Sequence, residues 1–282
     1  MNLVTLRNGQ LTVAISTMGA ELQSILDSSG VQRLWQGDPA SWTGRAPILF
    51  PIAGGLKEDC YILEGQKYIM PKHGYVRKVD WQVEASEDDH AVFMISEKHS
   101  GFPFDYELRA CYTLFGNMLR VEYIVRNMGE REFYYGLGAH EGYAAPEGIQ
   151  AYELIFDQEE RLERFELEGN LICRNPVVLM EHTRTLPLEY AYFVKDVLVF
   201  PTLKSRGLTL RCMDSDRTVR VEYPGHDVLM LWTIPGAGFI CIEPWLNAPD
   251  FVDHDQQIDH KPGCVRLVPG ESKAHVHTIT IG

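Results

Sequence analysis

Period-two hydrophobic patterning constrains this chain more than any other feature. From Phe104 to Leu114 every second residue is apolar, and Asp105, Glu107, Arg109 and Thr113 fall between them. That alternation sets one face of an extended strand on a core and the other toward solvent. The next run repeats it, with Leu119, Val121, Tyr123 and Val125 against Arg120, Glu122 and Arg126, and residues 115–118 supply the turn of a hairpin. Further strands read at 11–15, 21–26, 79–85, 91–96, 208–212, 219–223, 228–233, 239–243 and 275–281. Helical periodicity is nearly absent. The clearest helical start is Asp38-Pro39-Ala40-Ser41-Trp42, where Asp38 suits a cap and Pro39 the first turn. The acidic stretch 159–169 carries Leu162 and Phe165 three apart and reads as a short helix or an irregular connection. Many strands without regular helices predict an all-β sandwich or barrel. No repeat, linker or shift of composition marks a boundary, so one domain over residues 1–282 is expected.

Composition narrows the partners. With 26 Lys+Arg against 39 Asp+Glu the formal charge is -13, and the basic residues are interleaved with acids, so no nucleic acid and no anionic membrane surface is expected. A 45% hydrophobic share is enough for a large core. The first residues lack a basic segment followed by an apolar one, and no apolar run approaches the roughly 18 residues of a spanning helix. A soluble, cytoplasmic protein is expected. The six cysteines are scattered with no C-x-x-C pair, which reads as reduced core thiols rather than a zinc or disulfide framework.

Polar, ionisable residues interrupt apolar runs at four places. Arg45 opens the uncharged stretch 46–55, where its fork of donors suits sugar hydroxyls or a phosphate; a surface arginine is the plain alternative. His73 precedes Gly74, whose backbone freedom allows a tight path that presents the ring to a cleft. His140 ends an aromatic run and sits among Gly136, Gly138 and Gly142. Singly, each histidine also fits a structural, hydrogen-bonded role. Glu243 ends the apolar run Phe239-Ile240-Cys241-Ile242, and a carboxylate there needs partners because an isolated buried charge is expensive. Trp245 beside it offers a ring face for the C–H side of a sugar. Two histidine groups, His275/His277 and the 254–260 loop with His254 and His260, lack a recognised ligand spacing, so no metal is expected. A G-x-S-x-G elbow, a phosphate-binding loop and a G-x-G-x-x-G motif are all missing.

Together these segments resemble the galactose mutarotase (aldose 1-epimerase) superfamily, most closely its LacX-like branch. The matching pieces are Gly19-Ala20-Glu21-Leu22, residues 45–57 (RAPILFPIAGGLK), 72–77 (KHGYVR), 136–143 (GLGAHEGY), 241–245 (CIEPW) and 267–272. They fall in order along nearly the whole chain. The resemblance implies a large antiparallel β-sandwich with a sugar cleft, and cofactor-free interconversion of α and β anomers of an aldose. It implies Glu243 as general base, His140 as general acid, His73 as a second histidine at the anomeric end and Arg45 as a substrate-binding arginine. Arg77 lies in a motif near the sugar and, with Trp245, completes the binding set. A monomer or homodimer is expected. A substrate-binding aspartate is also implied, for which Asp196 and Asp250 are candidates. Two positions depart from the pattern: Glu141 and Gly142 follow His140, and Gly55 stands where LacX-like chains often carry Arg.

The chemistry agrees with the residue types. Ring opening removes a proton from the anomeric hydroxyl and delivers one to the ring oxygen, which a carboxylate and an imidazolium can do without metal or redox centre. With an ordinary pKa of about 6.5, a histidine is charged often enough near neutrality to serve. Three other readings compete. A hexose-6-phosphate epimerase would use Arg45 and Arg77, with Lys57 and Lys72 close in sequence, for the phosphate. A non-catalytic carbohydrate-binding protein would share the scaffold. A polysaccharide hydrolase would want two cleft carboxylates, with Glu141 the remote second.

Overall fold

The expected alternation forms strands in the computed structural model, which describes residues 2–195 and 197–282. In chain order these are β1 (Leu3–Arg7), β2 (Thr12–Ser16), β3 (Leu22–Leu26), β4 (Cys60–Leu63), β5 (Gln66–Ile69), β6 (Gln82–Ser86), β7 (His90–Ile95), β8 (Tyr106–Phe115), β9 (Met118–Asn127) and β10 (Phe133–Tyr135). There follow β11 (Glu141–Ala144), β12 (Tyr152–Glu168), β13 (Leu171–Pro187), β14 (Leu198–Phe200), β15 (Gly207–Cys212), β16 (Thr218–Glu222), β17 (Val228–Trp232), β18 (Phe239–Trp245), β19 (Val265–Leu267) and β20 (Ser272–Ile281). Helical structure among the described residues is limited to short 3₁₀ turns, and none is long and apolar enough to cross a membrane.

Thirteen strands form one antiparallel sheet in the order β11-β18-β17-β14-β12-β15-β16-β20-β9-β8-β7-β6, with β13 paired to β12. The hairpin read at 104–125 is β8–β9, in unbroken register from Tyr106↔Asn127 to Phe115↔Met118. Its inward residues, among them Leu108, Tyr112, Val121 and Tyr123, are fully buried, each stabilising the fold by about 1.5–3 kcal/mol relative to exposure.

The sheet is large enough to turn back on itself. Glu141, on edge strand β11, is within hydrogen-bond distance of His277 on β20, Oε1 to Nε2, at 3.0 Å, although many strands separate the two in sheet order. Both side chains are buried, so the pair acts as a strut across the interior. Two features that the sequence left unconnected, the acid after His140 and the histidines of the last strand, thus meet inside the core.

Two expectations about local structure fail. Asp38 starts a turn rather than a helix: its carboxylate accepts the Ala40 N–H at 2.8 Å and its carbonyl the Ser41 N–H at 3.0 Å, and the chain then leaves as coil. The 159–169 stretch lies almost wholly in β12, a 17-residue strand. Arg161 reaches Glu181 across the hairpin at 2.9 Å while Leu162 is buried in the core, so a long hairpin strand replaces the expected helix or irregular connection.

Candidate active site

Strand alternation assembles the site. On β18, Ile240 and Ile242 face the main core, which sends Phe239, Cys241, Glu243 and Trp245 to the opposite face. On neighbouring β17, Leu229 and Leu231 point inward, leaving Val228, Met230 and Trp232 beside Glu243. On β11, Glu141 and Tyr143 take the core side, so His140 and Gly142 look the other way. Register then brings the dyad together: Glu141 pairs with Ile242, and the residue before the first stands across from Glu243. His140 Nε2 lies 3.3 Å from Glu243 Oε2.

A loop supplies the second histidine. His73 and Gly74 both adopt left-handed backbone, φ 67° and 66°, and the carbonyl of Phe50 receives the Tyr75 N–H at 3.1 Å. This turns the His73 ring inward. Its Nδ1 accepts the Gly54 N–H at 3.1 Å, which puts the proton of the neutral ring on Nε2. The His73 centroid lies 5.8 Å from that of His140 and 5.5 Å from Trp245.

These groups line one cavity of about 310 Å³, together with Trp42, Lys72, Arg77, Asn170, Met230 and Trp232. That volume is at the small end for ligand sites, the size class of one small ligand rather than a polymer. Trp42 and Trp232 wall the His140 ring, centroids 5.1 and 5.9 Å away. Trp245 keeps its indole N–H on the Ala139 carbonyl at 3.1 Å, so its face is fixed. Glu243 is the only carboxylate in the lining among the described residues; Glu141, the second acid a hydrolase would want, is spent on His277.

Electrostatics alters one expectation. Burial pushes His140 down to about 3, with Arg77 and Lys72 adding to the effect. His73 is held well below the usual histidine range by burial and then by His140. A histidine charged often enough near neutrality to serve as the acid is the expectation; burial in the assembled cleft works against that charge and favours the neutral rings in the free protein.

The remaining sequence candidates separate. Arg77 lines the cavity, half-buried, with Nη2 donating to the Lys72 carbonyl at 3.3 Å. Arg45 is outside the lining. Its guanidinium packs against Gly37, where a Cβ would come within 3.3 Å of it, while its main chain holds the site: its N–H donates to Glu21 Oε1 at 2.9 Å and its carbonyl accepts from Gly142 at 2.8 Å. Asp250 is also outside the lining, tied to Lys261 Nζ at 2.5 Å and the Lys57 N–H at 2.9 Å. Asp196 lies outside the described residues. His275 and His277 bond Tyr135 and Glu141, and His260 pairs with Asp255. Among the described residues, the group whose atoms converge enough for a metal is instead His140, Cys241 and Glu243.

Sequence reading missed Trp232, Met230 and Asn170. Trp232 and Met230 carried the signal of any apolar strand, and Asn170 that of an ordinary turn. Asn170 explains the departure at Gly55: a Cβ there would lie 2.7 Å from Asn170 Cβ, so the β12–β13 tip fills the space a side chain would need.

Comparison with known proteins gives the family. The aldose 1-epimerase family model matches residues 2–280. The chain belongs to the aldose 1-epimerase family. Among family relatives, the plasmid-encoded Protein LacX of Lactococcus lactis subsp. lactis is 32% identical over 99% of both chains. A galactose mutarotase related enzyme from Lactobacillus acidophilus superposes with a TM-score of 0.92 at 27% identity, covering 100% of this chain and 97% of that one. A galactose mutarotase-like protein from Lactobacillus casei ATCC 334 gives 0.92 at 26%, covering 100% of both. The resemblance of the motifs and the β-sandwich they implied are thereby shown for this epimerase-family chain.

Proposed function

We propose that the protein interconverts the α and β anomers of a free aldose without a cofactor. The observation that carries this reading is the 3.3 Å approach of His140 to Glu243 at the wall of a monosaccharide-sized cavity. Glu243 takes the proton of the anomeric hydroxyl as the C1–O5 bond breaks, and His140 delivers one to the ring oxygen. The open aldehyde turns about C1–C2, and closure runs the same transfers in reverse. His73 and Trp245 border the space in which that rotation occurs. The polar lining would fix hydroxyls, and Trp245 a C–H face.

A second reading, a hexose 6-phosphate as substrate, draws support from Lys72 and Arg77 in the lining. A free sugar is favoured because Arg77 already serves the Lys72 carbonyl, has Glu21 near enough to act on its charge, and gains no help from Arg45. Anomer exchange followed by polarimetry or NMR is expected to give a higher kcat/KM for glucose or galactose than for their 6-phosphates. The opposite preference, if abolished in Arg77→Ala and weakened by salt, would transfer the assignment to the phosphosugar, since contacts to phosphate are charge-assisted and screened.

The state of His140 sets the pH dependence. A neutral imidazole must gain its proton before the ring opens, so kcat/KM, which reports the free protein, is expected to fall as pH rises from about 6 to 9. The kcat profile, which reports the sugar complex, should change less. A kcat/KM flat over that range would mean that the dyad keeps a shared proton on Glu243.

A further inference from the structure

Beneath the dyad lies a thiol that the proposed reaction does not use. Cys241 stands two residues before Glu243 on the same face of β18, fully buried and unpaired. One ligand atom each from His140, Cys241 and Glu243 lies within 4.8 Å of the others. Imidazole nitrogen, thiolate sulfur and carboxylate oxygen are the donor types of a four-coordinate zinc site that keeps one position open. Metal–ligand bonds of about 2.0–2.3 Å place tetrahedral donors roughly 3.3–3.8 Å apart. His140 and Glu243, at 3.3 Å, are already at that spacing, and no separation within the set needs to contract by more than about 1 Å.

The surroundings favour a soft cation over a hard one. Phe239 and Cys241 pack with Trp42 and Trp232, an apolar wall with no oxygen donors for calcium or magnesium, and a thiolate selects zinc, cadmium or cobalt. We infer that His140, Cys241 and Glu243 form a binding site for a soft divalent cation, and that its occupancy silences the dyad. On binding, the Cys241 S–H proton leaves to water as the sulfur–metal bond forms, and no electron is transferred. His140 and Glu243 give the cation the lone pairs that the proposed proton transfers require, so loading and turnover exclude each other. The inhibition rests on the anomerase reading; the binding does not.

The test uses the intact protein after dialysis against EDTA, with cobalt(II) and zinc(II) as probes. Cobalt is expected to give tetrahedral d–d absorption and a thiolate-to-cobalt charge-transfer band, with the charge-transfer band lost in Cys241→Ser. Zinc should inhibit anomer exchange in the metal-free wild type reversibly, EDTA restoring the rate, and half-inhibition should need at least about tenfold more zinc in Cys241→Ser. Cys241→Ala, read the same way, covers the case in which the serine variant does not fold. A saturated cobalt complex without the thiolate band, or equal zinc sensitivity in wild type and variants, would overturn the site. A thiolate band in a protein without anomerase activity would uphold the site and remove the proposed function instead.

Discussion

Glu243→Gln is expected to lower kcat by at least about 10²-fold while leaving thermal stability nearly unchanged, and His140→Asn to do the same, because each removes a positioned proton transfer and keeps the side-chain shape. Gln cannot take the anomeric proton, and Asn cannot return one to the ring oxygen. Since the two act on one dyad, at 3.3 Å, the double variant should cost much less than the product of the single losses. Anomer-exchange rates for the four proteins, read beside their melting curves, check this. If Glu243→Gln kept its rate but bound sugar weakly, Glu243 would be a hydroxyl acceptor rather than the base; the carbohydrate-binding reading would replace the enzymatic one if the wild type bound sugar without speeding anomer exchange.

Gly74→Ala is expected to destabilise the protein by at least about 3 kcal/mol or to prevent folding, a loss found only where a specific steric mechanism operates. The added Cβ would fall 1.9 Å from the Phe50 carbonyl oxygen and 2.4 Å from its carbon, on a residue at φ 66°. Neither neighbour is the free end of a side chain. Phe50 is buried in the core, and its carbonyl holds Tyr75 N–H. Gly65 is the internal control: its φ is 76° but nothing lies within 4 Å of an added Cβ, so Gly65→Ala should show only the left-handed backbone cost of about 1–2 kcal/mol. Melting temperatures of the two variants separate backbone strain from the clash. A Gly74→Ala protein as stable as Gly65→Ala would mean that the His73 turn is not packed as described. A folded but shifted variant should lose anomerase activity, because His73 enters the cavity through this turn.

Local physics made much of the molecule legible before folding was considered. Alternation depends on nothing beyond the chain's own period of two, so the β8–β9 hairpin could be read with its turn, and the apolar run ending in Glu243 marked a strand buried on both faces. Glycine next to His73 and around His140 marked backbone that must turn tightly near a ring. The ordered motifs carried the family. What the sequence could not contain is the order in which strands pair. The acidic 159–169 stretch extends because it pairs along its length with β13, a partner that its own residues do not name. Glu141 is by sequence only a remote second candidate for a cleft acid, and the structure shows why it is not one: successive residues on a strand point to opposite faces, and β20 waits on the inner one. Arg45 matched a substrate residue by motif, but its guanidinium packs beside Gly37 and its main-chain N–H binds Glu21, away from the cavity lining. The charge of His140 is the clearest case. Its residue type gives a pKa near neutrality, while desolvation in the assembled cleft, reinforced by Arg77 and Lys72, drives it to about 3. Burial is a property of the surrounding strands, and those arrive from distant parts of the chain.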